Sequence, residues 1–112
     1  MQTPNENGVY AAEAIEEVAR SGRSYAAVRI CQCDDGLFRY SVDLMYSYGG
    51  FSGPISIMDE GFATFTAAKD AGMLELLKRW PKAWPSEPQS VHAELRELKS
   101  QIERNFSQSS LF

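Results

Sequence analysis

The stretch SYAAVRICQCDDGLFRYSVDLMYSY, residues 24–48, decides the fold. Asp35-Gly36 stands between two β-rich runs, and a tight hairpin needs the positive φ that glycine adopts without steric cost. In the second run Phe38, Tyr40, Val42, Leu44, Tyr46 and Tyr48 alternate with Arg39, Ser41, Asp43 and Ser47, the period of a half-buried strand with one rich face. In the first run Ala26, Val28 and Ile30 share one face, and Tyr25, Ala27, Arg29, Cys31 and Cys33 the other.

Upstream, GVYAAEAIEEVARSG (8–22) has helical spacing. Ala11, Ile15 and Val18 share a face, the glutamates turn outward, and Gly22 provides a stop. Residues 1–7 are expected to be disordered. Downstream, GGFSGP reads as a turn or loop and PISIM as a short third strand, held to a strand start or sheet edge by Pro54. FATFTAAKDAGMLELLKRW follows as a helix with Thr64 or Thr66 at its N-cap and a buried stripe of Ala67, Ala71, Leu74 and Leu77. WPKAWPSEP then breaks the helix with three prolines. Ser86 and Gln89 form a capping box for a last helix, in which Val91, Leu95, Leu98 and Ile102 recur at spacings of four, three and four. That narrow seam suits docking on its own domain or on a second copy.

The expected fold is therefore α+β: an N-terminal helix, an antiparallel meander of two or three strands, a packed helix, and a C-terminal helix after a proline-rich linker. The expected units are a compact domain over 8–80, a linker over 81–88, the last helix over 89–106 and a flexible tail over 107–112.

With 112 residues, 44% of them hydrophobic, the chain suffices for one packed core. The net charge of −4 gives no broad footprint for phosphate, so no direct nucleic-acid binding is expected. Lys69, Lys78, Arg79 and Lys82 nevertheless make the region around the second helix mildly basic. No apolar run reaches the roughly eighteen residues that span a bilayer, and the polar start lacks the pattern of a signal peptide; a cytoplasmic location is expected. Cys31 and Cys33 fit a reducing compartment as sheet residues. His92, the one histidine, lies far from them in sequence, so no metal site and no cofactor are expected. Asp34, Asp35, Asp59 and Glu60 occupy turn positions, where aspartate bonds its own backbone. No nucleophile motif or phosphate loop is present, and the chain reads as non-enzymatic. The aromatic residues of the second strand read as core, and Trp80 and Trp84 as pins for the linker.

The chain closes on QSSLF, Gln108 to Phe112. This resembles the Gln-x-x-Leu-Phe peptide by which many bacterial and phage proteins engage the DNA polymerase sliding clamp. The resemblance implies Gln108 as polar anchor and Leu111 and Phe112 as apolar plugs. Ser109 stands where leucine is usual, a departure that weakens binding, whereas Ser110 agrees with the pattern. The meander, the glycine-rich turn and the helix over 24–80 also resemble small proteins of plasmids, phages and integrative elements, several with such a tail. The strand-strand-helix unit is similar to that of HicB-type antitoxins, although no segment marks a toxin-binding site. The α-β-β-β-α order is similar to the double-stranded-RNA-binding fold, whose basic helix start contacts phosphates; TFTAAKD offers only Lys69, which argues against RNA binding. The leading expectation is a non-enzymatic adaptor presenting the tail to a protein partner such as the clamp. The alternatives are an inhibitor or antitoxin-like protein acting through an acidic surface, and a homodimer built on the Val91–Leu95–Leu98–Ile102 seam.

Overall fold

At Asp35-Gly36 the chain reverses as expected: Gly36 takes φ 85°, and the Cys33 N–H donates to the Leu37 carbonyl at 2.8 Å. The computed structural model describes residues 1–110, with side chains through residue 106. The turn joins β3 (Ser24–Gln32) to β4 (Phe38–Tyr46) in a register from Gln32↔Phe38 to Tyr25↔Met45. Ala26, Val28 and Ile30 meet Val42 and Leu44 on one face, and all five are buried in the main core.

The expected N-terminal helix is instead β-structure. Residues 9–21 form β1 (Val9–Tyr10) and β2 (Ala14–Ser21), and β2 pairs antiparallel with β3 from Ala14↔Ile30 to Ser21↔Ser24. A bulge between Glu17 and Ala19 turns both Val18 and Ala19 into the core. Apolar residues therefore fall at 14, 18 and 19, a spacing that imitates a helical face, while Ile15 is 66% exposed. Gly22, with φ 62°, opens a two-residue hairpin turn rather than closing a helix.

The meander is longer than expected. Gly49–Phe51, expected as loop, forms β5 beside β4, and the sheet order is β2-β3-β4-β5. Glycine is required at position 50, where φ is 150° and a Cβ would lie 2.0 Å from the Leu44 carbonyl oxygen. The expected third strand is β6 (Ile55–Ser56), but it pairs with β1 in a separate two-stranded sheet. With Cys31 and Cys33, Tyr10 of β1 and Ile55 of β6 form a second, smaller core. Residues 1–7, expected as disordered, carry order of their own. The Gln2 N–H donates to the Gln32 carbonyl at 2.8 Å, and Asn5 Oδ1 accepts from the N–H groups of Asn7 and Val9.

Helix α1 (Phe65–Lys78) starts at Thr64, whose Oγ1 accepts from the Ala67 N–H at 3.0 Å. Its buried residues are Ala68, Gly72, Met73 and Leu76. The expected stripe of Ala67, Ala71, Leu74 and Leu77 is thus the wrong side of the helix: at about 100° per residue the buried set is centred on the opposite face, Ala67 and Leu74 are exposed, and Ala71 and Leu77 lie only at the margin. Helix α2 (Gln89–Ser110) begins on Pro88, whose carbonyl accepts from Val91 and His92, two residues later than a Ser86 cap requires. It continues through Ser110, past the expected end at residue 106, so the backbone of 107–110 is helical rather than a loose tail. Both helices contribute to the main core with β2, β3 and β4. The result is α+β, with two helices, a four-stranded antiparallel sheet and a two-stranded one.

Candidate functional site

The expected functional elements converge on α2. Val91, Leu95, Leu98 and Ile102 are all buried within the chain, and Leu98 and Ile102 join the main core directly. The seam is therefore occupied by the domain that carries it.

Polar side chains fix the helix at three levels. Near its start, the Glu94 carboxylate accepts from the Ser24 hydroxyl, the Ser47 N–H (3.0 Å) and the Ser47 hydroxyl (2.7 Å), gathering two hairpin ends. Burial pushes the Glu94 pKa up, but these hydrogen bonds outweigh it and hold the carboxyl below its ordinary value. Two turns on, the Gln101 amide accepts from the Arg20 N–H at 2.8 Å and donates to the Arg20 carbonyl at 2.9 Å. Asn105 Nδ2 donates to the Val18 carbonyl at 2.7 Å. Gln101 and Asn105 thereby satisfy three backbone groups in the second half of β2, the N–H and carbonyl of Arg20 and the carbonyl of Val18, which would otherwise invite another strand there. Phe106 packs on the core beside them. Beyond this last anchor the helical backbone carries Gln108, while Leu111 and Phe112 lie outside the described residues.

Cys31 and Cys33 are buried with their sulfurs 3.7 Å apart. Burial, reinforced by the contact with Cys33, pushes the Cys31 thiol up to about 12, so it stays protonated at neutral pH. Among the described residues, no group of three or more His, Cys, Asp or Glu side chains is gathered as metal ligands. No helix of the described residues is long and apolar enough to cross a membrane.

The turn carboxylates hold turns. Asp35 accepts from the Leu37 N–H at 3.0 Å and pairs with Arg39 at 3.0 Å; Asp59 accepts from the Ser56 N–H at 2.8 Å. Phe38, Tyr40, Tyr46 and Phe51 pack against the main core. Trp80 packs there too, whereas Trp84 is 70% exposed.

The chain matches no protein-family model, no curated protein and no solved structure. Its site must be read from its own geometry.

Two features that sequence reasoning missed arise from tertiary contact. The first is a cleft of about 380 Å³ along β4, where Tyr40, Asp59, Glu60, Glu75 and Arg79 meet. Tyr40 Oη donates to Glu75 at 2.8 Å, Glu75 pairs with Arg79 at 3.0 Å, and the Arg79 guanidinium lies 4.1 Å from the Phe51 ring centroid. Burial first, then the Glu75 hydrogen bond, raise the Tyr40 pKa, so the phenol remains a donor and tethers α1 to the sheet. Only the i,i+4 pair Glu75–Arg79 carried a signal for this cluster in the sequence. The second is a groove between the proline-rich linker and α2, lined in part by Trp80, His92, Arg96 and Lys99. Its basic residues were hidden by the acidic total.

Proposed function

We propose that this chain is a small non-enzymatic adaptor whose α2 carries the QSSLF peptide to a protein partner, the bacterial sliding clamp being the partner its sequence resembles most. One observation carries the reading. Helix α2 is anchored to β2 through Asn105 and then continues, as helix, to Ser110. A peptide beginning at Gln108 thus starts just past a fixed point of a rigid domain. Anchoring lowers the ordering entropy of the residues that lead into the peptide, which favours recognition by a short motif.

The inhibitor reading has less support because several of its acidic residues are engaged within the chain. Glu13 accepts from the Gln32 N–H at 2.7 Å, Glu16 lies 3.5 Å from Lys69, and Glu17 pairs with Arg20 at 2.6 Å. The homodimer reading needs a seam that α2 already buries against its own sheet.

Calorimetry with purified bacterial sliding clamp tests the proposal. Heat of binding is expected for the wild type, with at least about tenfold weakening in Leu111→Ala/Phe112→Ala, since each large apolar side chain contributes roughly 1.5–3 kcal/mol when buried. Ser109→Leu is expected to tighten binding. A wild type that gives no heat at any temperature tried removes the clamp as partner.

A further inference from the structure

We propose that the cleft along β4 is a slot for an extended, basic segment of another protein, which pairs its backbone with Tyr40 and Val42 and sets a lysine or arginine beside Asp59 and Glu60. This goes beyond the adaptor reading and does not depend on it.

The slot follows from how β4 is paired. Phe38 exchanges both backbone hydrogen bonds with Phe62, each at 2.7 Å, and Leu44 and Tyr46 pair with Phe51 and Gly49 of β5. Hydrogen-bonding direction alternates along an antiparallel strand. Phe38, Tyr40, Val42 and Leu44 therefore all point their N–H and carbonyl groups to the edge away from β3. Phe62 covers that edge at one end and β5 at the other. Between them, the N–H and carbonyl groups of Tyr40 and Val42 have no hydrogen-bond partner among the described residues. The chain itself leaves the edge after Phe51: the Ser52 hydroxyl donates to Asp43 at 2.6 Å, the Arg29 guanidinium donates to the Gly53 carbonyl, and Pro54 has no N–H to offer.

The cleft of about 380 Å³ lies at this gap, with Tyr40, Ser41 and Val42 on the strand side and Gly53 and Pro54 where the chain departs. Ser41 is 7% exposed, and its Oγ too is buried without a hydrogen-bond partner. Asp59, Glu60, Glu75 and Arg79 complete the lining. Glu75 is paired with Arg79 at 3.0 Å, whereas neither Asp59 nor Glu60 has a cationic side chain within ion-pair distance among the described residues. Glu60 is exposed, with no hydrogen bond from its side chain to any described residue.

Two features select the occupant. Donors and acceptors that recur every second residue along a strand edge are complemented together by one extended peptide backbone, the basis of recognition by strand addition. A lone anion or cation would answer only half of them. The two unanswered carboxylates then set the sign of the side chain: they attract lysine or arginine and repel phosphate or an acidic segment. Because Phe62 and β5 hold the positions on either side, only about three residues of the incoming chain can pair, which makes the segment short.

Amide exchange of the full chain, followed by NMR, tests the premise and the proposal together. In dilute free protein the Tyr40 and Val42 amides should exchange at least about tenfold faster than those of Ser41 and Asp43, which face β3. Titration with the probe peptide acetyl-Val-Lys-Val-Lys-Val-amide should shift the Tyr40 and Val42 resonances and slow their exchange. The same peptide N-methylated throughout should bind at least about tenfold more weakly, since it cannot donate to the strand. Glu60→Gln, a change at an exposed residue, should weaken the lysine peptide about two- to fivefold. Leu111→Ala/Phe112→Ala should bind it as the wild type does, which separates this result from the clamp assay. Equal binding of the N-methylated peptide would remove strand addition, and equal binding of acetyl-Val-Glu-Val-Glu-Val-amide would remove the basic partner. Slow exchange of Tyr40 and Val42 in the dilute free chain would show that the edge is not open. Protection that instead grows with protein concentration alone would give the slot to a second copy of this chain and overturn the proposal.

Discussion

Gly72 is the residue on which the distance between α1 and the sheet depends. A methyl group there would lie 2.5 Å and 2.9 Å from the two γ carbons of Val28 and 3.3 Å from the Tyr40 ring. Two effects of Gly72→Ala oppose one another. Helix propensity favours alanine by about 1 kcal/mol, whereas overpacking a filled core costs about 1–3 kcal/mol. Val28 is wholly buried and, being β-branched, has little rotamer freedom with which to retreat. The clash should win, with a net loss of up to about 2 kcal/mol in the denaturant-derived stability. Adding Val28→Ala to Gly72→Ala should cost less than Val28→Ala alone. A neutral or stabilising Gly72→Ala would show that the helix and sheet are not in such close contact. The same residue explains why the buried face of α1 was missed and the opposite one taken for it. A pattern search weights large apolar side chains and gives glycine none, yet Gly72 lies on the buried face beside Ala68, Met73 and Leu76.

Among the elements, β3 and β4 were legible because their signals agree: strict alternation, and a turn residue at the required place. Strand β2 was not, and the reason is physical. Its bulge breaks period two, and a glycine with positive φ serves equally as a helix end or as the first residue of a hairpin turn. The choice between them lies in the long-range pairing of Ala14–Ser21 with β3, which no local window contains. The tie from α2 to the hairpin ends belongs to the same scale, since Glu94 alone connects three groups of two hairpins. Its folded-state pKa lies below the ordinary glutamate value. The stability it contributes is therefore present above the unfolded pKa of about 4.3 and is lost as pH falls through the depressed folded value. Glu13, Glu17 and Asp35 are shifted in the same direction, through the Gln32 N–H for Glu13 and through Arg20 and Arg39 for the other two, so the whole chain should be acid-labile. In Glu94→Gln the fall in unfolding midpoint between neutral pH and pH of about 3 should be shallower than in the wild type. Parallel curves would mean that Glu94 carries no share of the acid lability.

For the whole molecule, the decisive question is what the seam of α2 is for. Its spacing was plain in the sequence, but spacing is the same whether the partner is the chain's own sheet or a second copy. Here Leu98 and Ile102 share the main core with Val18, Ala19 and Ala26, and at Val18 and Arg20 the edge of β2 is satisfied by Asn105 and Gln101 rather than by another strand. The apolar face of α2 and the second half of the β2 edge are thus used internally. Ile102→Ala removes a fully buried side chain and should lower stability by about 2–5 kcal/mol. Because the lost contacts lie within one chain, the unfolding midpoint of wild type and variant alike should not move with protein concentration. A midpoint that rises with concentration would instead mean that α2 is shared between chains. The adaptor proposal would then have to be recast with two peptides per particle, whose avidity for a multivalent partner would exceed that of either peptide alone.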